Sequence, residues 1–191
     1  MGLPAPPEIE TPRLLLRRVE PDDLPALLAV NGDEQVTRHL PYPAWQGLAD
    51  AQAWFERMSV LQATGAALQW VVLDRPSGLA IGTCLVFRHD EASARAEIGY
   101  VLGRAHWGLG VMHEALQALI AWAWGAGGLR RLEAEVNPAN TASVALLERL
   151  GFTREGLLRQ RWVARGEAYD VLVYGLLRGE HQAPAQTALD A

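Results

Sequence analysis

Cysteine is nearly absent from this sequence. Its 191 residues include one cysteine, Cys84, which excludes an internal disulfide framework and a cysteine-based metal site. The five histidines lack the spacing of metal ligands, so we expect no bound metal. Cys84 lies within the apolar run 81–87, where a small thiol is more often part of a core than a nucleophile. The sequence therefore predicts a reduced, metal-free interior in which Cys84 is buried.

Long apolar runs and leader-like features are also absent. The apolar stretches are short and interrupted by charged residues, which argues against a membrane-spanning helix. Residues 1–7 lack the charged start and the apolar stretch of a signal peptide, and Pro6 departs from the myristoylation pattern. We therefore expect a cytoplasmic protein that has no membrane partner.

Positive charge is not in excess either. The net charge of −5 at pH 7 argues against general nucleic-acid binding. A local arginine cluster is either solvated surface or a contact to the phosphates of a ligand. Its members are Arg154, Arg159, Arg161 and Arg165. With 50% apolar and 20% charged residues, the chain has the composition of one globular domain. We place that domain at residues 9–178, before a polar tail at residues 179–191 that need not be ordered.

Apolar periodicity predicts the order of the secondary structure. Period-two alternation and β-formers predict strands at residues 14–19, 69–73, 79–88, 97–102, 131–136, 152–163 and 168–177. Helical spacing and start signals predict helices at residues 21–30, 48–63 and 111–124, and a short helix that ends at Leu150. This order predicts a mixed α/β domain whose helices cover a largely antiparallel sheet.

A glycine loop separates the strand at 97–102 from the helix at 111–124. Gly108 and Gly110 allow the backbone to approach an anion closely. The N–H groups that open a helix have no partner inside it, and the helix dipole adds a partial positive charge. The loop lacks the Gly-Lys-Ser/Thr of a P-loop and the third glycine of a dinucleotide fingerprint, since position 113 is His. The pattern indicates a pyrophosphate site for a cofactor other than ATP or NAD, or else a simple tight turn.

Four motifs in order resemble the GNAT superfamily of acyl-CoA-dependent N-acetyltransferases, in particular its Rim-type branch, which acetylates ribosomal-protein N-termini. They are Glu97-Ile98-Gly99-Tyr100, Trp107-Gly108-Leu109-Gly110 with Glu114-Ala115-Leu116, Asn137-x-x-Asn140-x-x-Ser143, and Leu150-Gly151-Phe152. The resemblance spans about residues 9–178. It implies the GNAT fold, whose two central parallel strands splay apart, and direct acetyl transfer from acetyl-CoA to a primary amine.

The resemblance also implies how acetyl-CoA is held. The backbone of the loop would bind the pyrophosphate, through Trp107, Gly108, Leu109, Gly110, Val111 and Met112. The backbone of Tyr100, Val101 and Leu102 would pair with the pantetheine arm. Asn140 would contact the arm from the other side, or only cap a helix. The family often has Gln or Arg at position 107 and Gly or Ala at position 112, but both departures leave the backbone donors in place.

Only some of the catalytic residues of the family have a counterpart in this sequence. The tyrosine that many GNAT enzymes use as an acid corresponds to Leu147, and Ser143 is the better candidate to protonate the departing thiolate. Ser143 is alternatively a helix-start serine bonded to backbone. The glutamate base of the Rim-type branch corresponds to Trp162. Glu97, or less strongly Glu135, would replace it, unless both are surface or ion-paired carboxylates.

The acceptor is the least determined partner. A protein α-amine, with a pKa near 8, is neutral at pH 7 roughly a few hundredfold more often than a lysine amine, so it needs less help from a base. This favours a protein N-terminus, such as that of a ribosomal protein. A small amine, and a catalytically silent acyl-CoA-binding module, are the alternatives. The loop 39–45, the helix after it and the turn at Gly166 would select the acceptor. Monomer and homodimer both remain open.

Overall fold

The computed structural model describes residues 3–180, so most of the predicted tail lies outside the described residues. In this range eight strands and five helices form. The strands are β1 (Ile9–Glu10), β2 (Leu14–Arg18), β3 (Ala67–Asp74), β4 (Ala80–Asp90), β5 (Arg95–Leu102), β6 (Arg131–Val136), β7 (Thr153–Ala164) and β8 (Glu167–Leu177). The helices are α1 (Leu24–Asn31), α2 (Glu34–Thr37), α3 (Leu48–Ala63), α4 (Val111–Trp124) and α5 (Thr141–Arg149). The domain limit at residue 178 stays a prediction.

One sheet organises the domain, with the strand order β1-β2-β3-β4-β5-β6-β8-β7. Neighbouring strands pair antiparallel except β5 and β6, which run parallel. Their pairing covers only Arg95 with Arg131, Ala96 with Leu132 and Glu97 with Glu133. Beyond these positions both strands continue without pairing to each other, so the sheet opens between them. The predicted mixed α/β fold with splayed central parallel strands is confirmed.

The two faces of the sheet pack against different helices, because side chains alternate along each strand. On one face Trp70 and Leu132 join Leu116 of α4 and Leu147 of α5 in the main core. On the other face a smaller cluster joins Val71 to α1 and α3. Cys84 lies in the main core, as predicted, with its Sγ 3.8 Å from the Met112 Sδ. The splay between β5 and β6 therefore connects two separately packed layers.

Two short elements were not predicted. The two-residue strand β1 pairs with β2 at the sheet edge. The single turn α2 begins after Asp33, whose side chain accepts a hydrogen bond from the Gln35 N–H at 2.8 Å. Residues 21–23 form a 3₁₀ turn ahead of α1 rather than its first turn. None of the helices within residues 3–180 is long and apolar enough to cross a membrane.

Candidate active site

A cleft of about 530 Å³ opens where β5 and β6 separate. Its walls come from both faces of the sheet. Glu97 and Glu135 share the face that packs on α1 and α3, as the pairing of Glu97 with Phe87 and Glu133 requires. Tyr100 lies on the opposite face, where it packs against the main core beside α5. The cleft thus passes through the sheet, with carboxylates on one side and hydroxyl groups on the other.

The glycine loop lies between β5 and α4, as predicted. Gly108 and Gly110 both have φ of +72°, a conformation that a side chain disfavours. Within the described part of the chain, the backbone N–H groups of residues 108–113 have no hydrogen-bond partner, and the next bond runs from the Glu114 N–H to the Gly110 carbonyl. Open N–H groups at the start of a 14-residue helix form an anion site. These residues therefore fit a diphosphate.

Side chains outside the motifs fix this loop in place. The Arg13 Nη1 donates to the Leu109 carbonyl oxygen at 2.9 Å, while its Nε lies 2.6 Å from the Glu114 carboxylate. Thr11 donates to the same carboxylate at 2.5 Å. The Trp107 Nε1 donates to the Leu102 carbonyl oxygen at 2.8 Å. This carbonyl was predicted to pair with the pantetheine arm, but it already accepts a hydrogen bond. Sequence reasoning missed Arg13, because no spacing links it to a loop almost a hundred residues away.

The two departures from the family loop sequence are accommodated differently. Met112 is 6% exposed and points into the core, while Trp107 is 47% exposed and lies over the end of β5. Neither side chain takes the place of a loop N–H group. The bulk of these residues is therefore compatible with an anion held by main chain.

The start of α5 brings three site residues together. The Asn140 Oδ1 accepts from the Ser143 N–H at 3.2 Å and caps the helix, which was the alternative role foreseen for Asn140. The Ser143 Oγ lies 2.7 Å from the Tyr100 hydroxyl. Burial raises the pKa of Tyr100 to about 12, and the bond to Ser143 opposes that rise. The hydroxyl groups of Ser143 and Tyr100 therefore bond to each other across the cleft, and within the described residues the Ser143 Oγ has no hydrogen bond to backbone.

Glu97 is the most strongly perturbed carboxyl of the cleft. It is 6% exposed, and burial raises its pKa to about 7, an effect that nearby Arg88 opposes. The Arg88 Nη1 lies 2.7 Å from the Glu97 Oε2 and 3.2 Å from the Glu135 Oε1. Arg88 has φ of +52° at an irregularity in the β4–β5 register, which turns its side chain toward both carboxylates. A carboxyl group with a pKa near neutrality can accept a proton at physiological pH.

Trp162, which corresponds in sequence to the glutamate base of the Rim-type branch, is hydrogen-bonded to a carboxylate. The Trp162 Nε1 donates to the Glu135 Oε2 at 2.8 Å, and the Arg161 Nη2 lies 3.5 Å from the Glu135 Oε1. Glu135 is 10% exposed in its side chain. The cleft thus contains two carboxylates, both from the central strands, although β7 supplies none at position 162.

The side of the cleft that contains the carboxylates is enclosed by the segment 39–42 and by α3. Trp54 and Met58 of α3 line it, and the Tyr42 hydroxyl donates to the Asn31 Oδ1 at 3.2 Å. Trp45 instead packs against Trp54, with ring centroids 5.4 Å apart. The turn at Gly166 is held beside this segment because the adjacent Arg165 donates to the carbonyl oxygens of Thr37 and Arg38, at 2.9 and 2.8 Å.

The arginine cluster does not gather at the glycine loop. Arg165 is bonded near α2, and Arg161 lies 3.5 Å from Glu135 on the carboxylate side of the cleft. A second hollow, on the outer strand β7, is lined by Arg159 and Arg161 together with Leu157 and Leu158. It contains none of the predicted site residues.

Comparison with known proteins decides the family. The model of the acetyltransferase (GNAT) domain matches residues 13–153. The chain belongs to the GNAT acetyltransferase family. It is 37% identical over 171 residues to N-acetyltransferase p20 of Bacillus licheniformis, covering 90% of this chain and 96% of that protein. It is 27% identical over 177 residues to the ribosomal protein uS5 alanine N-acetyltransferase of Escherichia coli, covering 88% of this chain and 89% of that one.

Solved structures agree on the fold. The GNAT acetyltransferase aligns with Mycobacterium smegmatis RimJ, solved in complex with CoA-disulfide, at a TM-score of 0.86 and 24% identity. That alignment covers 94% of this chain and 91% of RimJ. The likeness confirms the GNAT fold inferred from the sequence motifs.

Proposed function

We propose that this GNAT enzyme transfers the acetyl group of acetyl-CoA directly to the N-terminal α-amine of a protein, such as a ribosomal protein, in the cytoplasm. One observation carries the proposal: a single cleft where β5 and β6 separate has Tyr100 and Ser143 on one face of the sheet and Glu97 on the other. A donor bound along one face can there meet an acceptor that enters from the other. The E. coli relative named for uS5 alanine acetylation supports the acceptor class.

Acetyl-CoA would bind mainly through backbone. The N–H groups of residues 108–112 would hold the diphosphate, because the Trp107 N–H already donates to the Arg104 carbonyl oxygen at 3.1 Å. The edge of β5 at Tyr100, which faces away from β4, would pair with the pantetheine amides, whereas Val101 is paired with Thr83 of β4. The Leu102 carbonyl oxygen accepts the hydrogen bond of the Trp107 Nε1, so it is not available to the arm. The Asn140 Oδ1 is used by the helix cap, which leaves its amide nitrogen to contact the arm.

The transfer itself requires a base and a proton donor. The neutral amine attacks the thioester carbonyl carbon, a C–N bond forms and the C–S bond breaks. Glu97 accepts the proton that the amine loses, directly or through a water molecule, because its pKa of about 7 keeps a large ionised fraction at neutral pH. Ser143 donates its hydroxyl proton toward the departing sulfur, so the products are an amide and a thiol.

Turnover with an acceptor panel tests this proposal. The full chain is assayed for release of free CoA thiol with peptides that start with Ser or Ala, and with polyamines and free amino acids. We expect activity on the peptides. Turnover on free amines alone would refute the protein acceptor, and heat of CoA binding without any turnover would identify an acyl-CoA-binding module. If millimolar CoA gives no heat in a calorimeter, the loop does not bind the cofactor and the proposal fails.

Two substitutions test the assigned groups. Ser143→Ala should slow kcat by about 10²-fold, within the range of general acids. Ser93→Ala is the matched control, because the Ser93 hydroxyl bonds Asp90 in the β4–β5 turn, outside the cleft. Glu97→Gln should remove most of the activity at pH 7 while CoA still binds. A loss below about threefold for Ser143→Ala would leave that serine as a structural residue of the helix start.

A further inference from the structure

The side chain of Tyr100 also lies in the site, although pairing with acetyl-CoA would require only the backbone of this residue. Its hydroxyl crosses the splay from β5 and lies 2.7 Å from the Ser143 Oγ on α5. Tyr100 packs against the main core, so its ring is fixed, whereas a serine hydroxyl otherwise rotates freely. The phenol is therefore the group that can set the direction of the serine proton. A role of Tyr100 toward Ser143 rests on the proposed function of Ser143 as the proton donor.

The chemistry of the two hydroxyl groups determines which one donates. Burial holds the pKa of Tyr100 at about 12, so the phenol is neutral and carries its proton across the physiological range. A phenol is a stronger acid than an aliphatic alcohol and hence the better donor in a bond between the two. If Tyr100 donates, the Ser143 Oγ accepts, and the serine proton is left to point elsewhere. Leu147, one helical turn after Ser143, lines the same cleft wall and offers no acceptor for it.

We propose that Tyr100 is a positioning residue: its hydroxyl donates to the Ser143 Oγ and thereby directs the Ser143 proton into the splay, where the thioester sulfur departs. As the C–S bond breaks, the electron pair stays on sulfur and the Ser143 proton moves toward it. The negative charge that grows on Oγ is stabilised by the hydrogen bond from Tyr100. Glu97 releases to solvent the proton it took from the amine, and Ser143 takes one from solvent, so both groups return to their starting states. Tyr100 acts through Ser143 and does not touch the reacting atoms.

A double-mutant cycle tests this role. Tyr100→Phe removes one oxygen and keeps the ring, and it should lower kcat about tenfold, which corresponds to about 1.4 kcal/mol, with the KM for acetyl-CoA within about twofold of the native value. The decisive measurement is the same substitution in the Ser143→Ala background. There the phenol has no hydroxyl to position, so Tyr100→Phe should cost no further kcat. A purely structural role of Tyr100 would reduce kcat by the same factor in both backgrounds.

Tyr174→Phe is the matched control. The Tyr174 hydroxyl is also hydrogen-bonded, to the Glu148 carboxylate at 3.1 Å, but the residue lies outside the cleft. It should change the free energy of unfolding without changing kcat, which separates folding effects from positioning. CoA calorimetry and thermal unfolding of every variant establish that each one is folded.

The outcomes separate this inference from the proposed function. Equal losses from Tyr100→Phe in both backgrounds, or no loss in the native background, overturn the positioning role while leaving Ser143 as the proton donor. Full activity of Ser143→Ala overturns the donor role itself, and the positioning role with it. If Tyr100→Phe does not fold, Ser143→Thr is tested in its place. The threonine keeps a hydroxyl group that Tyr100 can direct, so this variant should preserve most of kcat. Activity as low as that of Ser143→Ala would contradict the inference.

Discussion

Replacing Arg88 with glutamine would reveal how the ionisation of Glu97 is controlled. The Arg88 Nη1 lies 2.7 Å from the Glu97 Oε2 and favours the charged carboxylate, while burial favours the neutral acid. The neighbouring Glu135 and Glu133 carboxylates also raise the Glu97 pKa. Without the Arg88 guanidinium, burial and the two neighbouring carboxylates, which all raise the Glu97 pKa, act unopposed. The pKa of Glu97 should therefore increase from its present value of about 7.

The size of the change follows from the exposure of Arg88. A nearby opposite charge shifts a carboxyl pKa by about 1 to 3 units. The Arg88 side chain is 51% exposed, so screening by solvent places it at the low end. A rise of about one unit lowers the ionised fraction of Glu97 at pH 7 roughly fivefold. Because the ionised form is the base, the loss is greatest below pH 7 and disappears as the pH approaches about 9.

The assay is the ratio of kcat/KM for Arg88→Gln to that of the native enzyme, measured from about pH 6 to pH 9. Taking the ratio cancels the ionisation of the acceptor amine, which is common to both proteins. Arg95→Gln is the control, since Arg95 pairs with Glu133 and Asp90 rather than with Glu97. A ratio that stays constant across this pH range would refute the link between Arg88 and the ionisation of Glu97.

Three further substitutions test the supports of the site. Gly108→Ala, at φ of +72°, should weaken CoA binding about tenfold by moving the loop amides. The control Gly128→Ala, at φ of +64° beyond the other end of α4, should leave calorimetric affinity unchanged, and equal affinities of the two variants would contradict the backbone site. Glu114→Gln should lower the free energy of unfolding by about 1–2 kcal/mol at neutral pH. Burial raises the Glu114 pKa, but the bonds to Thr11 and Arg13 outweigh it and hold this pKa below its ordinary 4.5. The difference in unfolding free energy between the native protein and the variant should therefore vanish in denaturant titrations as the pH falls below that value. A difference that persists at low pH would contradict these bonds. Trp162→Phe removes the donor to Glu135 and should reduce kcat by about threefold without loss of CoA binding; an unchanged kcat would show that the indole N–H has no catalytic consequence.

The long helices and strands could be predicted from the sequence because their apolar periodicity is strong. The helices α3 and α4 have the predicted limits, 48–63 and 111–124. The strand β6 also matches, since its apolar residues alternate strictly. By contrast, α2 is one turn and β1 is two residues long, too short for any periodic signal. The parallel pairing of β5 with β6 was expected from the family resemblance and not from periodicity, which does not specify partners.

The site shows the same division between local and long-range information. The glycine loop, Ser143 and Glu97 could be found because each belongs to a contiguous motif. Arg88 could not, because an irregular register turns its side chain toward the cleft. The meeting of Tyr100 with Ser143 depends on which strand lies opposite α5. A residue spacing encodes the geometry of one element, whereas these contacts arise only after the elements have packed.

The brief pairing between β5 and β6 has a consequence for the order of folding. The hairpins β3–β4, β4–β5 and β7–β8 join neighbours in sequence, so their loops close at low entropic cost. Pairing β5 with β6 requires the whole of α4 and its flanking loops to be enclosed, for a reward of only three residue pairs. We expect this seam to form late, after the hairpins on either side. A nascent chain would therefore acquire most of its stability before it acquires a complete acetyl-transfer cleft.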